Sequence, residues 1–378
     1  MDRCQSSSSR AHATVSSVTE RKVRHRNNYI MEVQSSKGQL QTVASLRKLL
    51  EDTLPLDNVV YAFGYGSGVL SQEIVTKEKA DDSNMIDVIM VVDDAFSFHQ
   101  TNILLNPAHY ALPFWTRFRK SMPEVWATWW QRHSVNNQLL RNPRVYFNIA
   151  PGLKYGVVQA NDLVDDLQHW NYLYLAGRMH KPIVPILERP SPALAEITNA
   201  QLQFNLPAAL SASLLLLSES SSFTNIPEET VYTQIASLSY AGDFRMQTGA
   251  EDPQKVRKLV QSPGQLERFR NLYSDAIRLL EGQGMLSITK GQSNTLQWAW
   301  DGANANTQSA LFKSLPPVLQ SEYDSQKSQQ ALQKMRNALP AIVAPAARYQ
   351  SLKGLITAGP RKSWVYAMRK LSKGLLKR

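Results

Sequence analysis

The chain has 378 residues, a formal net charge of +11 and a mean hydropathy of −0.33, enough material for two ordinary domains with cores of their own. Its single cysteine, Cys4, excludes a disulfide scaffold and a cysteine-ligated metal site. The longest nearly apolar stretch, Leu206 to Leu217, falls short of the ~20 residues that a bilayer-spanning helix needs, so no transmembrane segment is expected.

Residues 1–28 are Ser-rich and basic, with only Asp2 and Glu20 acidic, which suits either a mitochondrial transit segment or a disordered N-terminus. Leu40, Val43, Leu46, Leu49 and Leu50 then recur at helical spacing and stop at Pro55. Two apolar runs read as buried strands, Val59-Val60-Tyr61-Ala62-Phe63 and Ile86 to Val92, with a charged loop over 73–84 between them. Residues 123–140, which hold Trp126, Trp129 and Trp130, read as a helix. Strands are expected at 145–148 and around 154–158, a helix over 162–176 and a short strand over 183–187. From about 193 the pattern turns mostly helical, punctuated by Ser, Pro and Gly around 218–227 and 282–302, and there is no internal repeat. The parse is an α/β domain with a mixed sheet over 29–192, a mostly helical second domain over 193–324 and a basic tail over 325–378.

The chemistry begins where the first strand runs into Gly64-Tyr65-Gly66-Ser67-Gly68. Glycines after a strand let backbone N–H groups approach phosphate oxygens, and Ser67 adds a hydroxyl. The turn lacks both the Gly-Lys-Ser/Thr ending of a Walker loop and G-x-G-x-x-G spacing. The next strand carries Asp87 inside an apolar run, and a buried carboxylate is costly unless it is paired or binds a metal. A Gly-Ser turn followed by a strand-borne acid resembles the nucleotidyltransferase superfold, in which the turn holds a triphosphate and strand carboxylates hold Mg²⁺. That superfold usually has two acids at i and i+2, but here i+2 is Ile89, and Asp93 is ~20 Å along the strand. Asp243, in Tyr240-Ala241-Gly242-Asp243-Phe244-Arg245-Met246, is the candidate for the second metal carboxylate. The plainer alternative is that Asp243 and Arg245 form a structural ion pair.

Further segments join these in order: His99 with Asn102, Asn106, His109 and Tyr110; Tyr146-Phe147-Asn148; and Lys154-Tyr155-Gly156-Val157-Val158. Leu173-Tyr174-Leu175-Ala176-Gly177-Arg178 with Lys181-Pro182 follows, and the Tyr240 block continues through Gly249-Ala250-Glu251-Asp252-Pro253 to Lys255-Val256. With Tyr61-Ala62-Phe63 before the turn and Val91-Val92-Asp93-Asp94 after Asp87, the series resembles the mitochondrial translocator assembly and maintenance family, the mitochondrial CDP-diacylglycerol synthases. The resemblance implies transfer of CMP from CTP to phosphatidic acid with Mg²⁺, at the matrix face of the inner mitochondrial membrane, as a step towards cardiolipin. It implies catalytic roles for Asp87, Asp243 and Lys154, with Asp87 and Asp243 on the metal. It also implies a binding set of Gly66, Ser67, Gly68, His99, Asn102, Asn106, His109, Tyr155 and Arg245. Lys154 beside Gly156 is placed like a phosphate-binding lysine, though an ordinary turn lysine would look the same. His99, Asn102, Asn106 and His109 lie near one face at helical spacing, either lining the nucleotide pocket or forming a polar network within the fold.

No Asp or Glu follows Asp324, and residues 325–378 hold twelve Lys or Arg, leaving 30 basic against 31 acidic side chains before them. Trp364, Met368, Leu371 and Leu375 share a helical face opposite Lys362, Arg369, Lys373 and Lys377. That pattern fits a basic amphipathic helix lying on an anionic membrane, peripherally attached, or a helix docked on the protein body with a solvated basic face. Two other functions stay open on sequence grounds: a nucleotidyltransferase acting on RNA, disfavoured by the neutral body, and a non-catalytic matrix-side scaffold supporting protein import.

Overall fold

The computed structural model describes residues 37–66, 69, 85–110, 143–218, 226–247, 252, 254–291, 295–320 and 328–357. The leader, Ser67, Gly68, the loop over 73–84, the Trp-rich segment over 123–140 and the amphipathic face from 361 onward lie outside these residues.

The described residues open with helix α1 (Lys37–Thr53), followed by β1 (Val59–Tyr65), β2 (Ile86–Val92) and α2 (Ala95–Leu105) with a short 3₁₀ turn, Pro107–His109. Strands β3 (Tyr146–Ala150) and β4 (Leu153–Gln159) lead into α3 (Ala160–His169), α4 (Ala176–Met179) and β5 (Val184–Glu188). Helix α5 (Pro192–Ala200) continues through a π-helical turn, Gln201–Asn205, into α6 (Leu206–Leu217). Next come β6 (Ile226–Pro227), α7 (Glu228–Leu238), α8 (Phe244–Gln247), α9 (Lys255–Gln261) and α10 (Gln265–Gly282). The last described elements are β7 (Ser287–Lys290), β8 (Leu296–Ala299), α11 (Ala305–Lys313), α12 (Pro317–Gln320) and α13 (Ser328–Thr357).

The first five strands form one mixed sheet in the order β3-β4-β2-β1-β5, with β2 parallel to β4 and the other pairs antiparallel. A central strand covered on both faces has no polar side to show, which is why β2 reads as a continuous apolar run. One face packs Val88, Met90 and Val92 against Leu46 and Leu50 of α1 and Leu54 just after it, which repeat every fourth residue, and against Ala95 and Phe98 of α2. The other face sends Phe63, Ile89, Val91 and Val158 into a larger core shared with α3, α6, α7 and α10. The α/β sheet and the helical half are thereby joined through one apolar core.

Two details add to the sequence reading. Besides its helices, the region after 193 carries a small antiparallel sheet of β6, β8 and β7, with Trp298 of β8 fully buried. The Gly-rich punctuation around 282–302 marks the hairpin that makes it. Residues 192–217 form one continuous 26-residue helical run whose length and mean hydropathy of 1.3 would allow it to cross a membrane, but 67% of that apolar window is buried inside the protein. Most of its apolar side chains are core residues of the fold: Leu206, Leu210, Leu214 and Leu215 are each at most 2% exposed, although Phe204 is 46% exposed.

Candidate active site

Register places Tyr65, Asp87 and Lys154 opposite one another on β1, β2 and β4. Residues paired in this way share a face of the sheet, here the face turned to the helical half. Lys154 Nζ lies 3.7 Å from Asp87 Oδ1 and 5.0 Å from the Phe147 ring centroid. The sequence pattern put Asp87 inside a buried run, yet its side chain is 36% exposed. The reason is position: Asp87 is the second residue of β2, and full burial begins only at Val88. Its carboxylate is open to an incoming ligand rather than sealed in the core. Beyond β1, Gly66 adopts φ +81, and a Cβ built there would meet nothing within 4 Å. Gly66 therefore faces open space in a conformation that favours glycine.

Strand β5 pairs antiparallel with β1, Val184 opposite Gly64, so the residues before it arrive at the same end of the sheet. Those residues are α4 and Lys181. The Arg178 guanidinium lies 3.9 Å from the Tyr174 ring centroid and 5.1 Å from that of Tyr65, which links it to the Asp87 row. Lys181 Nζ donates to Ser239 Oγ at 2.7 Å and lies 5.0 Å from the Tyr240 ring, and Lys255 Nζ lies 5.8 Å from the same ring. Gly177 permits this approach, because a Cβ there would come within 2.3 Å of Ser239 Cβ. Among the described residues no carboxylate pairs with Arg178 or Lys181. Burial, followed by the positive fields of Arg178 and Lys255, pushes the Lys181 ammonium down to about 7. These three cations form a belt that the sequence reading missed: all sat in the family-like segments, but no local motif marked them as neighbours.

The belt is held from behind by a buried polar knot. A helix over 162–176 was expected, but α3 stops at His169, where Trp170 turns left-handed with φ 52. The cause is Asp166, 3% exposed, whose Oδ1 accepts from the amides of Tyr172 and Leu173, both at 3.0 Å. Its Oδ2 accepts from those of Tyr174, Leu175 and Ala176 at 3.2, 2.9 and 3.0 Å. Five amides wrapped around one carboxylate replace the helical ladder, and such a network is rigid only while complete. The π-helical turn continues the support. Asn205 Oδ1 accepts from Trp170 Nε1 at 2.8 Å and lies 2.9 Å from His180 Nε2, while Asn205 Nδ2 donates to Ala176 O at 3.2 Å. Gln201 Nε2 reaches Met179 O at 2.7 Å, and the Tyr273 hydroxyl reaches His180 O at 2.9 Å. Burial first, then Lys181, holds His180 down to about 3, so it is neutral in the working pH range.

Asp243 and Arg245 form a bidentate pair: Arg245 Nη2 lies 2.6 Å from Oδ2, and Nε lies 3.1 and 3.2 Å from the two oxygens. Asp243 is 3% exposed. Burial pushes its carboxyl up, but the hydrogen bonds and charge of Arg245 and the field of Lys255 prevail and hold it below the usual range. Each site carboxylate thus has its own cation, Lys154 for Asp87 and Arg245 for Asp243. Among the described residues no group of three or more His, Cys, Asp or Glu side chains is arranged to hold a metal ion. Asp87 suits Mg²⁺ in another way, since that ion commonly takes one or two carboxylates and completes its shell with water and substrate phosphates.

His99, Asn102, Asn106, His109 and Tyr155 do come together, on the other face of the sheet. Tyr155 follows Lys154 on β4 and so points the opposite way. Asn102 Nδ2 donates to the hydroxyls of Tyr110 and Tyr155 at 2.9 and 2.8 Å, and His99 Nδ1 lies 2.8 Å from Tyr110 Oη. His109 Nδ1 lies 2.9 Å from Tyr155 Oη. Asn106 Nδ2 donates to Asn102 Oδ1 at 2.9 Å and to Thr53 O at 2.8 Å, tying α2 to the end of α1. None of these bonds reaches Asp87 or Lys154.

A family model described as phosphatidate cytidylyltransferase, mitochondrial, matches residues 46–373. Curated relatives of the same description include one from Xenopus laevis, 33% identical over 336 residues, covering 84% of this chain and 91% of the relative. Others are from Rattus norvegicus, 32% identical with 84% and 91% covered, and Caenorhabditis elegans, 29% identical with 86% and 97% covered. The matched range takes in the Asp87 row, the cationic belt and the buried knot behind it. By this match and by the ordered segments that it contains, the chain belongs to the mitochondrial phosphatidate cytidylyltransferase family.

Proposed function

We propose that this chain transfers CMP from CTP to phosphatidic acid, giving CDP-diacylglycerol and pyrophosphate, at a mitochondrial membrane. Family membership supports the reaction class. The observation that carries the site is the exposed Asp87 beside Lys154, at the sheet end where Gly66 opens on free space. In this reading the first domain is a nucleotidyltransferase-like fold, with a mixed sheet presenting one acid beyond a glycine turn.

An oxygen of the lipid phosphate attacks the α-phosphorus of CTP, and the bond to the β-phosphate oxygen breaks. Negative charge gathers on the equatorial oxygens and on the leaving pyrophosphate, so catalysis consists of positioning and electrostatic stabilisation. Lys154 is placed to neutralise charge at the reacting phosphate, and the amides around Gly66 to bind the phosphates behind it. Asp87 would hold Mg²⁺, which supplies Lewis-acid stabilisation of the phosphate oxygens when bound. Asp243, locked by Arg245, keeps that guanidinium in place next to the Lys255 side of the belt and remains the proposed second carboxylate. The basic tail would hold the enzyme peripherally on the matrix side of the inner membrane, where its insoluble substrate lies. The product would feed cardiolipin synthesis.

The test is purified protein with labelled CTP, Mg²⁺ and phosphatidic acid liposomes. Labelled CDP-diacylglycerol is expected. Absence of product under conditions where the protein binds the liposomes would overturn the proposal.

A further inference from the structure

The charges near Tyr240 are more numerous than the reacting phosphate needs. Lys154 already serves the Asp87 row, yet Arg178, Lys181 and Lys255 gather a short distance further on. Arg178 and Lys181 have no carboxylate partner among the described residues, and Arg178 Nε is buried without a hydrogen-bond acceptor. Lys255 Nζ faces the Tyr240 ring, and its positive field bears on Asp243, whose oxygens are bound to Arg245.

Like charges brought together repel, and partial burial makes the repulsion worse. The fold nevertheless invests in holding them there. Gly177 gives up a side chain so that α4 can touch Ser239, Asp166 takes up five amides to shape the approach, and Asn205 and Gln201 pin the carbonyls of α4. Three fixed cations with aromatic rings beneath them are complementary to a compact polyanion with several acceptor oxygens. A monovalent carboxylate would leave most of that charge uncompensated.

We propose that Arg178, Lys181 and Lys255, set around Tyr240 and Ser239, form a second phosphate subsite distinct from the Asp87–Lys154 position. Its ligand is a phosphate group of more than one negative charge. Two sources share that chemistry: the terminal phosphates of the nucleotide, which leave as pyrophosphate, and the phosphomonoester headgroup of the lipid acceptor. The inference rests on the transferase reading for the names of these ligands, but the binding itself is measured without turnover.

The experiment is calorimetric titration of the full-length chain with inorganic pyrophosphate and, separately, with a short-chain water-soluble phosphatidate. Wild type is compared with Lys181→Gln, Lys255→Gln and Lys181→Arg. Glutamine at either position is expected to weaken at least one ligand tenfold or more, and Lys181→Arg to stay within about threefold of wild type. A loss confined to pyrophosphate assigns the subsite to the nucleotide, and a loss confined to phosphatidate assigns it to the acceptor. If both glutamine variants melt at the wild-type temperature and bind both ligands within twofold of wild type, the subsite does not exist. Wild type that binds these ligands but makes no CDP-diacylglycerol would instead remove the transferase reading and leave the subsite standing.

Discussion

Strand β4 carries Lys154 on one face and Tyr155 on the other, and the polar groups around the two are satisfied in opposite ways. Around Tyr155, two histidines, two asparagines and two tyrosine hydroxyls bond to one another and to the Thr53 carbonyl. Around Lys154 and the belt beyond it, cations face aromatic rings and each other, with Asp87 as the one half-exposed acid of the strand row. On this face only the Asn148 amide, opposite Tyr155, is buried without a hydrogen-bond partner among the described residues, and a network bonded largely within itself stabilises and specifies a fold. A set of like charges gathered in one place costs stability and is kept where a ligand brings opposing charge. Burial alone does not separate the two kinds of polar cluster; the destination of their hydrogen bonds does.

The largest effect should come from the knot that serves the open face. Asp166→Ala leaves five amides without their acceptor, and at roughly 1–3 kcal/mol for each buried unsatisfied group the loss should exceed about 4 kcal/mol of unfolding free energy, measured by urea denaturation. A loss under about 1 kcal/mol would mean that the belt does not depend on this carboxylate. Next is Asp87→Asn, expected to leave the melting temperature unchanged, because the side chain is already part-exposed, while lowering kcat by about 10²–10³-fold in the labelled-CTP assay. An unaffected kcat would detach the Asp87 row from the chemistry.

The pH dependence of the open face follows from Lys181. Its ammonium is pushed down to about 7 in the folded chain, from an ordinary value of 10.5. Because the unfolded chain binds the extra proton between those values, the ligand-free protein bears the full cost of the buried charge below about pH 7, and that cost fades as pH rises towards 10.5. Phosphate binding favours the charged amine, so affinity for pyrophosphate should fall as pH rises through 7 and on to 8.5, by up to about tenfold, and Lys181→Arg should flatten the profile. A wild-type profile as flat as that of the arginine variant would remove Lys181 from the binding surface.

The smallest effect concerns the closed face. His109→Ala removes one bond of the Tyr155 network and should cost about 1 kcal/mol of stability, with KM for CTP within twofold of wild type. A KM raised severalfold in a folded variant would show that the nucleotide reaches both faces of the sheet.

Much of this was legible along the chain. The seven residues of β2 were readable from their apolar run, β1, β4 and β5 to within a few residues, and α1 from its leucine spacing, because each signal is local and repeats with the period of its element. Asp87 stood out as the one acid in an apolar strand, although its exposure depended on how near it lies to the strand's start. The end of α3 was not legible: five amides spread over 172–176 had to be seen converging on Asp166, a side chain inside the helix itself. Nor was the hairpin of β7 and β8, whose short strands are only partly buried.

The sequence by itself determined the family, the strand-borne Asp87 with Lys154, and the cluster of His99, Asn102, Asn106 and His109 as one polar group. These follow from residue type and spacing, which a linear chain displays directly. Only the tertiary structure decided that this cluster lies on the face opposite Lys154, that Asp243 is bound to Arg245, and that Lys181 and Lys255 meet at Tyr240 while Arg178 lies over Tyr65 and Tyr174. The physical reason is that a sheet inverts its face at every residue, while crossover connections bring residues more than seventy positions apart to one strand end.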